Sequence, residues 1–392
     1  MSSLSRSSRF FLFVLVLSGV FAMSAAISAE EVEFTYTNSF DGSTQPAMAY
    51  IPDAVKGKGP VPLVVLAHPM MGSRLSARYG RYYPQADAHG WMIVCPQLHG
   101  LRTGGETSMA SLGAQHDIID CIAYMKKNYA VDSTRVYLVG RSMGGMLSAV
   151  MAAKYPDVFA AVVAGQGIYD LRTWTDTTIP RLYNRSLKEC LAYSDSTRFD
   201  YERRSAVSYA TNFAYVPIIL WHGTADGWVP VEQSEMLYAA MKKYDRFMPE
   251  PVWLRGAAHY WQNFTPAWEF EQFVPYQNKA EFGYETPTRS YADLNITTDE
   301  AKAFFWLGIT PAASDDFARV HAGFADGLLS IGAERASVVT IDAGLVPKII
   351  PCSRFSIRAD APVTLTVIRD GESVFETTET AGVFPESLFV RP

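Results

Sequence analysis

Residues 135–146 read RVYLVGRSMGGM, and this stretch decides the fold. The apolar, β-branched residues before Gly140 are typical of a buried strand, and the small and apolar residues after Gly144 are typical of a helix. Ser142 falls on the sharp turn between them. Glycines at both flanking positions leave room where a side chain would collide with the adjacent strand or helix. We therefore interpret this turn as a nucleophile elbow that exposes a serine hydroxyl. The alternative is a glycine-rich turn with an inert serine.

The composition excludes several classes of protein. The 392 residues are 48% hydrophobic with a mean hydropathy of +0.01, which is ordinary for a globular chain and excludes disorder and coiled coil. The 34 basic and 40 acidic residues give a net charge of −6, so no nucleic-acid partner is expected. The four scattered cysteines leave one or two disulfides open and speak against a metal site. No metal or other cofactor is expected, and the oligomeric state is not predicted.

The N-terminus is typical of a Sec-type signal peptide. Two arginines precede the apolar run of residues 10–17, and small residues follow up to Ala29. We predict cleavage after Ala29 or Ala26, and hence a secreted or periplasmic protein. An uncleaved anchor is the alternative, although the run is short for a membrane span. No membrane span is expected after the signal has been cleaved.

Buried strands alternate with helical stretches along the first part of the chain. An edge hairpin comes first, and the predicted buried strands follow at residues 62–68, 91–96, 135–139, 159–165, 216–223 and 251–255. This alternation implies right-handed parallel crossovers and an α/β fold with a doubly wound, mostly parallel sheet. Residues 167–214 break the rhythm. We interpret them either as a lid insertion over the site or as a solvated helical excursion.

Two polar residues follow the last two predicted strands of this sheet. Asp226 could fix the tautomer of an imidazole and stabilise the imidazolium that forms during attack, although an Asp-Gly turn is the alternative and Glu232 is a lesser rival. His259 lies in a loop of small residues, which suits a general base that reaches Ser142. Along the chain the serine comes first, the aspartate second and the histidine third, and this order also fits a serine nucleophile with an aspartate and a histidine as partners.

The composition of the chain changes near residue 285, and strand signals predominate towards the C-terminus. We predict a signal peptide over 1–29, a catalytic domain over 30–284, and a C-terminal helix plus β-rich domain over 285–392. Within the last domain the sequence predicts an amphipathic helix over 299–307 and strands over 337–341, 354–358, 363–368 and 373–376. This small β-rich appendage has no evident catalytic cluster. Lid support, substrate docking and surface attachment stay open, with structural packing as the default.

Two segments carry a resemblance to a known family. Residues 129–145 and residues 221–230 resemble secreted bacterial α/β-hydrolases of the prolyl oligopeptidase-like (peptidase S9-like) and feruloyl or acetyl-xylan esterase-like group. The resemblance spans about residues 61–273 and is specific to the superfamily. It implies an α/β-hydrolase fold with a catalytic triad of Ser142, Asp226 and His259 and does not fix the substrate.

The resemblance also implies an oxyanion hole with two backbone donors. The first is the N–H of Met143, and the second comes from the loop that follows the first buried strand. Pro69 stands where glycine is common and has no N–H, so we predict Met70 as the second donor and Met71 as the fallback. His68, at the end of that strand, is interpreted as an orienting or structural histidine rather than as the base.

The sequence thus predicts a secreted serine hydrolase that cleaves carboxylic esters through an acyl-enzyme on Ser142. The substrate is a small-molecule or polymer ester of feruloyl, acetyl-xylan or polyester type. Trp228, Tyr260, Trp261 and Tyr169 are predicted substrate contacts, with core packing as the alternative for each. A prolyl oligopeptidase-type peptidase is disfavoured, because the roughly 30 residues between the signal peptide and the first buried strand cannot hold a propeller. A non-catalytic binding module on a hydrolase fold is the third hypothesis.

Overall fold

The computed structural model describes residues 29–104, 107–244, 249–259, 265–276, 293–325, 327–346 and 354–385. These residues form two eight-stranded sheets, which we call the N-terminal and the C-terminal sheet. Residues 1–28 of the predicted signal peptide (1–29), the predicted boundary at 284/285 and Cys352 lie outside the described residues. Within the described ranges, none of the helices combines the length and the hydropathy that a membrane crossing requires.

The N-terminal sheet is the predicted doubly wound, mostly parallel sheet. Its strands are β1 (Glu30–Thr37), β2 (Thr44–Ile51), β3 (Val61–Ala67), β4 (Met92–Pro96), β5 (Val131–Arg141), β6 (Ala161–Gly165), β7 (Ile218–Gly223) and β8 (Val252–Leu254). Their order across the sheet is β1-β2-β4-β3-β5-β6-β7-β8. β1 and β2 form the predicted antiparallel edge hairpin, β2 pairs antiparallel with β4, and all further neighbours are parallel.

Helices cover this sheet and follow its strands along the chain. They are α1 (Ser76–Tyr79), α2 (Tyr83–His89), α3 (Leu112–Asn128), α4 (Met143–Lys154), α5 (Leu171–Thr177), α6 (Pro180–Cys190), α7 (Arg198–Arg203), α8 (Glu232–Met241) and α9 (Pro266–Phe273). Short 3₁₀ helices lie at Asp53–Val55, Ala206–Tyr215, Lys242–Tyr244 and Val274–Tyr276. The central strands are therefore buried on both faces, as their continuous apolar runs predict.

Strand β3 illustrates how the two faces of the sheet are filled. Leu63 and Val65 pack into the core on one face, whereas Val64 and Leu66 pack into a second core on the other face. Successive side chains of a strand point to opposite faces, so a strand with apolar residues at every position needs cover on both sides.

The segment between β6 and β7 contains α5, α6 and α7, which we call the cap, followed by the 3₁₀ helix Ala206–Tyr215. A buried ion pair holds it in place. The Glu189 carboxylate lies 3.2 Å from the Arg204 guanidinium, and both side chains are almost fully buried. Arg204 also donates to the carbonyl oxygens of Ser108 and Met109, at 3.3 and 3.1 Å. The cap is therefore fixed to the loop that precedes α3.

The C-terminal sheet contains β9 (Asp293–Thr298), β10 (Lys302–Phe304), β11 (Leu307–Pro311), β12 (Ala318–Ala325), β13 (Leu328–Glu334), β14 (Ala336–Asp342), β15 (Arg354–Arg369) and β16 (Glu372–Pro385). β15 joins the two segments that the sequence predicts as separate strands, over 354–358 and 363–368. The predicted hairpin after it is present. Asp370 and Gly371 form its turn, and both have positive φ angles, at 53° and 84°.

The predicted helix over residues 299–307 is wrong. This segment forms the turn after β9, the strand β10 and the beginning of β11. Asp299 and Glu300, which resemble the acidic first turn of a helix, instead pair with cationic side chains of α4 and α7. The tertiary ion pairs, together with burial of the strand side chains against the sheet, override the local helical pattern.

These ion pairs connect the C-terminal sheet to the far end of α4. The Lys154 ammonium lies 2.7 Å from Asp299 and 2.5 Å from Glu300, and the Lys154 side chain is almost fully buried. Arg203 pairs with the other oxygen of Asp299 at 2.8 Å. Because α4 begins directly after Ser142, the C-terminal sheet supports the helix that follows the elbow.

Candidate active site

Ser142 occupies the strained turn that the sequence predicts. Its φ and ψ angles are 58° and −125°, and α4 begins at the next residue. A Cβ atom on Gly144 would lie 2.1 Å from the carbonyl oxygen of Ala67, and one on Gly140 would lie 2.2 Å from that of Gly144. Only glycine fits at either position without movement of the backbone. The two glycines therefore permit the close approach of β3, β5 and α4 around the serine.

Asp226 and His259 form a closely hydrogen-bonded pair. The Nδ1 atom of His259 lies 2.5 Å from Oδ2 of Asp226. The other carboxylate oxygen accepts hydrogen bonds from the backbone N–H groups of Trp228 and Val229, each at 2.9 Å. Burial favours the protonated acid, but the hydrogen bonds with His222 and His259 outweigh burial and lower the pKa of Asp226. The carboxylate is thus fixed in orientation and in its ionised form.

A second histidine, His222, flanks the same carboxylate. Its Nε2 lies 2.8 Å from the carbonyl oxygen of Val229 and 3.3 Å from Oδ2 of Asp226, and its Nδ1 lies 2.7 Å from the Ser234 hydroxyl. The side chain is fully buried. Sequence reasoning missed this contact, although His222 lies next to the end of β7, only four residues before Asp226. His222 holds the loop that carries the carboxylate.

Ser142 and His259 meet at one small cavity of about 110 Å³. Both residues are described, and the Ser142 hydroxyl makes no hydrogen bond to the His259 imidazole. Such catalytic hydrogen bonds are often long or poorly aligned in unliganded enzymes. Trp228 stands at the rim, 48% exposed, with its ring centroid 5.3 Å from that of His259. The other lining residues come from the loop after β3, the loop after β6, the cap and the loop after β7: Pro69, Met70, Met71, Ile168, Trp174, Ile179, Arg181, Leu182, Arg185 and Val229.

The backbone N–H groups of the two predicted donors are without a partner among the described residues. The N–H of Met143 is the first of α4, and helix N-termini leave such groups without an internal partner. In the described part of the chain, neither this N–H nor that of Met70 donates a hydrogen bond to another residue. Gly72 donates to the carbonyl oxygen of Pro69 at 2.9 Å, and Met71 has a positive φ of 63°. This tight turn holds Met70 next to the cavity.

His68 is a buried structural histidine. Its Nε2 accepts the N–H of Leu98 at 3.1 Å, so Nδ1 carries the proton and donates to the carbonyl oxygen of Pro69 at 2.9 Å. Burial lowers the pKa of His68 to about 4. The ring is therefore neutral at neutral pH and fixes the start of the loop that contains Met70.

His68 predicts a pH dependence of stability. Its pKa is lower in the folded chain than the unfolded value of about 6.5, so its contribution is complete above pH 6.5 and is lost as the pH falls towards 4. From pH 7 to pH 4, the native protein should lose about 3 kcal/mol more unfolding free energy than His68→Gln. Urea titrations at both pH values measure this difference. An equal loss of unfolding free energy in His68→Gln and the native protein would contradict the prediction.

The predicted substrate contacts have different outcomes. Tyr169 is fully buried and its hydroxyl donates to the carbonyl oxygen of Ala164 at 3.0 Å, so its role as a substrate contact is wrong. The loop after β6 turns this ring into the core, and Trp174 reaches the cavity instead. Trp228 lies at the cavity rim. Tyr260 and Trp261 fall outside the described residues.

Cysteines and metal ligands can be compared with the sequence predictions only over the described ranges. There, Cys95, Cys121 and Cys190 are buried and free, so none of them forms a disulfide with another. The same part of the chain holds no group of three or more His, Cys, Asp or Glu side chains arranged around a common metal position.

Comparison with known proteins identifies the fold. Residues 111–294 match the model of the prolyl oligopeptidase family. A solved puromycin-hydrolysing peptidase of Mycobacterium tuberculosis matches over 64% of this chain and 39% of its own, with a TM-score of 0.54 and 20% sequence identity. The fold is that of the α/β-hydrolases. The matched residues include the three predicted triad positions.

Curated relatives confirm the predicted resemblance to esterases. Feruloyl esterase B of Talaromyces funiculosus is 27% identical over 223 residues, which are 54% of this chain and 61% of the relative. A probable acetylxylan esterase A of Aspergillus flavus is 33% identical over 113 residues, which are 27% of this chain and 37% of the relative. This α/β-hydrolase therefore spans less than two thirds of the length of either relative.

Proposed function

We propose that this α/β-hydrolase is a secreted serine hydrolase that cleaves carboxylic esters through an acyl-enzyme on Ser142. One observation carries the proposal. Ser142, held on the elbow, and His259, hydrogen-bonded to Asp226 at 2.5 Å, line the same cavity. A nucleophile, a base and an orienting carboxylate are the groups that acyl transfer requires.

The proposed reaction proceeds in two stages. The Ser142 hydroxyl attacks the ester carbonyl, and Nε2 of His259 takes the hydroxyl proton. The resulting oxyanion accepts hydrogen bonds from the N–H groups of Met143 and Met70, and Asp226 stabilises the imidazolium. As the intermediate collapses, the alcohol leaves with the proton from His259. Water, deprotonated by His259, then attacks the acyl-enzyme, releases the acid and restores the serine.

Cavity size favours a short acyl group. Sites for drug-sized ligands typically measure about 300–1,000 Å³, whereas the cavity beside Ser142 measures about 110 Å³. An acetyl group suits this space better than a hydroxycinnamoyl group. Trp228, exposed at the rim, offers a flat apolar face on which a sugar ring of the alcohol portion can stack. Among the predicted ester types, the cavity thus favours an acetylated glycan.

A substrate comparison tests the proposal. The purified protein is assayed with p-nitrophenyl acetate, acetylated xylan, methyl ferulate and a proline-containing peptide amide. We expect the two acetyl esters to be cleaved with the highest kcat/KM. Faster cleavage of the peptide amide than of every ester would instead support a peptidase, and binding of the substrates without cleavage of any would support a binding module.

Secretion is the second part of the proposal and has its own test. The two arginines, the apolar run and the small residues up to Ala29 support a cleaved signal peptide. N-terminal sequencing of the protein recovered from a secreting bacterial host should begin at Glu30 or Ile27. A chain that retains residues 1–26 and stays with the membrane would contradict cleavage.

A further inference from the structure

Two arginines of the cap line the cavity that contains Ser142 and His259. Arg181 and Arg185 lie four residues apart on α6, and residues with this spacing share one face of a helix. Leu182 of the same helix also lines the cavity. The cap therefore presents an apolar contact and two guanidinium groups to the space in which a substrate would meet the nucleophile.

The charged side chains that line this cavity, among the described residues, carry no negative charge. Over the described residues, no carboxylate lines it, because Asp226 lies behind His259 with a fully buried side chain. Arg181 is exposed and has no ion-pair partner in the described part of the chain. The chain as a whole carries a net charge of −6. Among the described residues that line the cavity, the two permanently charged side chains are thus both cationic, and Arg181 is the exposed one.

The helix that carries these arginines is held rigidly at its other end. Its last turn contains Glu189, whose carboxylate accepts the N–H groups of Leu101, Arg102 and Thr103 at 2.9 to 3.1 Å and pairs with Arg204. A held helix presents its side chains with less loss of entropy on binding than a mobile segment does.

We infer that the substrate ester carries a carboxylate close to the scissile bond, and that Arg181 binds this carboxylate with Arg185 as the second cation. This inference rests on the proposed ester hydrolase function and names the class of ester. A guanidinium matches a carboxylate with two parallel hydrogen bonds, and such charge-assisted bonds are stronger than neutral ones. The small cavity favours an acidic sugar on the alcohol side as the source of this carboxylate, and the test distinguishes it from a carboxylate on the acyl chain.

Matched pairs of substrates test the inference and distinguish the two sources. For the acyl side, ethyl hydrogen glutarate is compared with neutral ethyl hexanoate. For the alcohol side, methyl O-acetyl-galacturonoside is compared with its neutral 6-methyl ester. We expect the charged member of at least one pair to have about a fivefold or greater advantage in kcat/KM, and this advantage should shrink in 1 M salt.

Variants of α6 locate the effect. Arg181→Gln should remove most of the advantage of the charged ester, and Arg181→Gln/Arg185→Gln should remove all of it, so that kcat/KM falls more for the charged member of the pair than for the neutral one. Arg181→Lys keeps the charge and should retain part of the advantage. Lys188→Gln is the matched control, because it removes one positive charge from an exposed position of the same helix outside the cavity lining.

Three results would each overturn the inference. One is a native enzyme that shows no advantage for the charged ester in either pair. Another is an advantage that Arg181→Gln/Arg185→Gln leaves intact, and the third is a loss that is equal for charged and neutral esters. Arg181→Gln alone decides the question if the double variant fails to fold, because Arg181 is exposed.

A binding measurement separates this inference from the proposed function. Calorimetry with Ser142→Ala measures the affinity for all four esters without turnover. Tighter binding of a charged ester, lost in Ser142→Ala/Arg181→Gln, supports the inference even if the native chain cleaves no ester. Equal affinity for the charged and neutral members contradicts it, even if the native chain is an active esterase.

Discussion

Ser142→Ala is expected to lower kcat/KM for p-nitrophenyl acetate by about 10⁵-fold while the chain remains folded. The hydroxyl is the atom that forms the acyl-enzyme, and its removal leaves only substrate binding and oxyanion stabilisation. Alanine fits the site because Ser142 makes no side-chain cap for α4. Steady-state kinetics measure the loss, and circular dichroism checks the fold.

Ser148→Ala is the matched control for this prediction. Ser148 lies on α4, six residues after Ser142, and its buried hydroxyl has no hydrogen-bond partner among the described residues. Its removal should change kcat/KM by less than about threefold. If Ser142→Ala kept more than roughly 1% of native activity, another group would be the nucleophile.

Asp226→Asn should lower kcat by about 10⁴-fold with little change in folding. The N–H groups of Trp228 and Val229 require an oxygen at one position of this side chain. The amide NH₂ must then face Nδ1 of His259, which becomes an acceptor. The imidazole proton moves to Nε2, where it blocks the transfer of a proton from Ser142.

Asp176→Asn serves as the control for the carboxylate. Asp176 is an exposed residue of the cap that pairs with Arg172 on the surface of α5, so its neutralisation should leave kcat unchanged. A native-like kcat for Asp226→Asn would mean that the hydrogen bond to His259 is structural, and would remove Asp226 from the proposed triad.

The sequence predicted best those features that depend on local steric clashes or on the local pattern of apolar residues. Gly140 and Gly144 indicate the elbow because a Cβ atom at either position would collide with a neighbouring backbone carbonyl. The continuous apolar run of β3 indicates a strand covered on both faces. The positions of Asp226 and His259 follow from the same logic, because both come directly after parallel strands that end at one edge of the sheet.

The features that it missed depend on partners distant in the sequence. Asp299 and Glu300 resemble a helix start until Lys154 and Arg203 are brought against them, so the local pattern gave the wrong element. Tyr169 could not be assigned to core or cavity, because the loop after β6 decides which way its ring turns.

The arginines of the cap were missed for a related reason. Arg181 and Arg185 have the spacing of any solvated helix face, and nothing in that spacing predicts which cavity the face meets. Only the packing of α6 beside the elbow, fixed through Glu189, gives them a place near Ser142. Function at such positions depends on the fold as a whole.

The central claim, a covalent intermediate on Ser142, is tested most directly by labelling with a fluorophosphonate followed by peptide mass spectrometry. The native chain should gain one phosphonyl group on the peptide that contains Ser142, lose ester cleavage in proportion to labelling, and remain unlabelled as Ser142→Ala. A label on another residue, or an unlabelled chain that still cleaves p-nitrophenyl acetate, would contradict the claim.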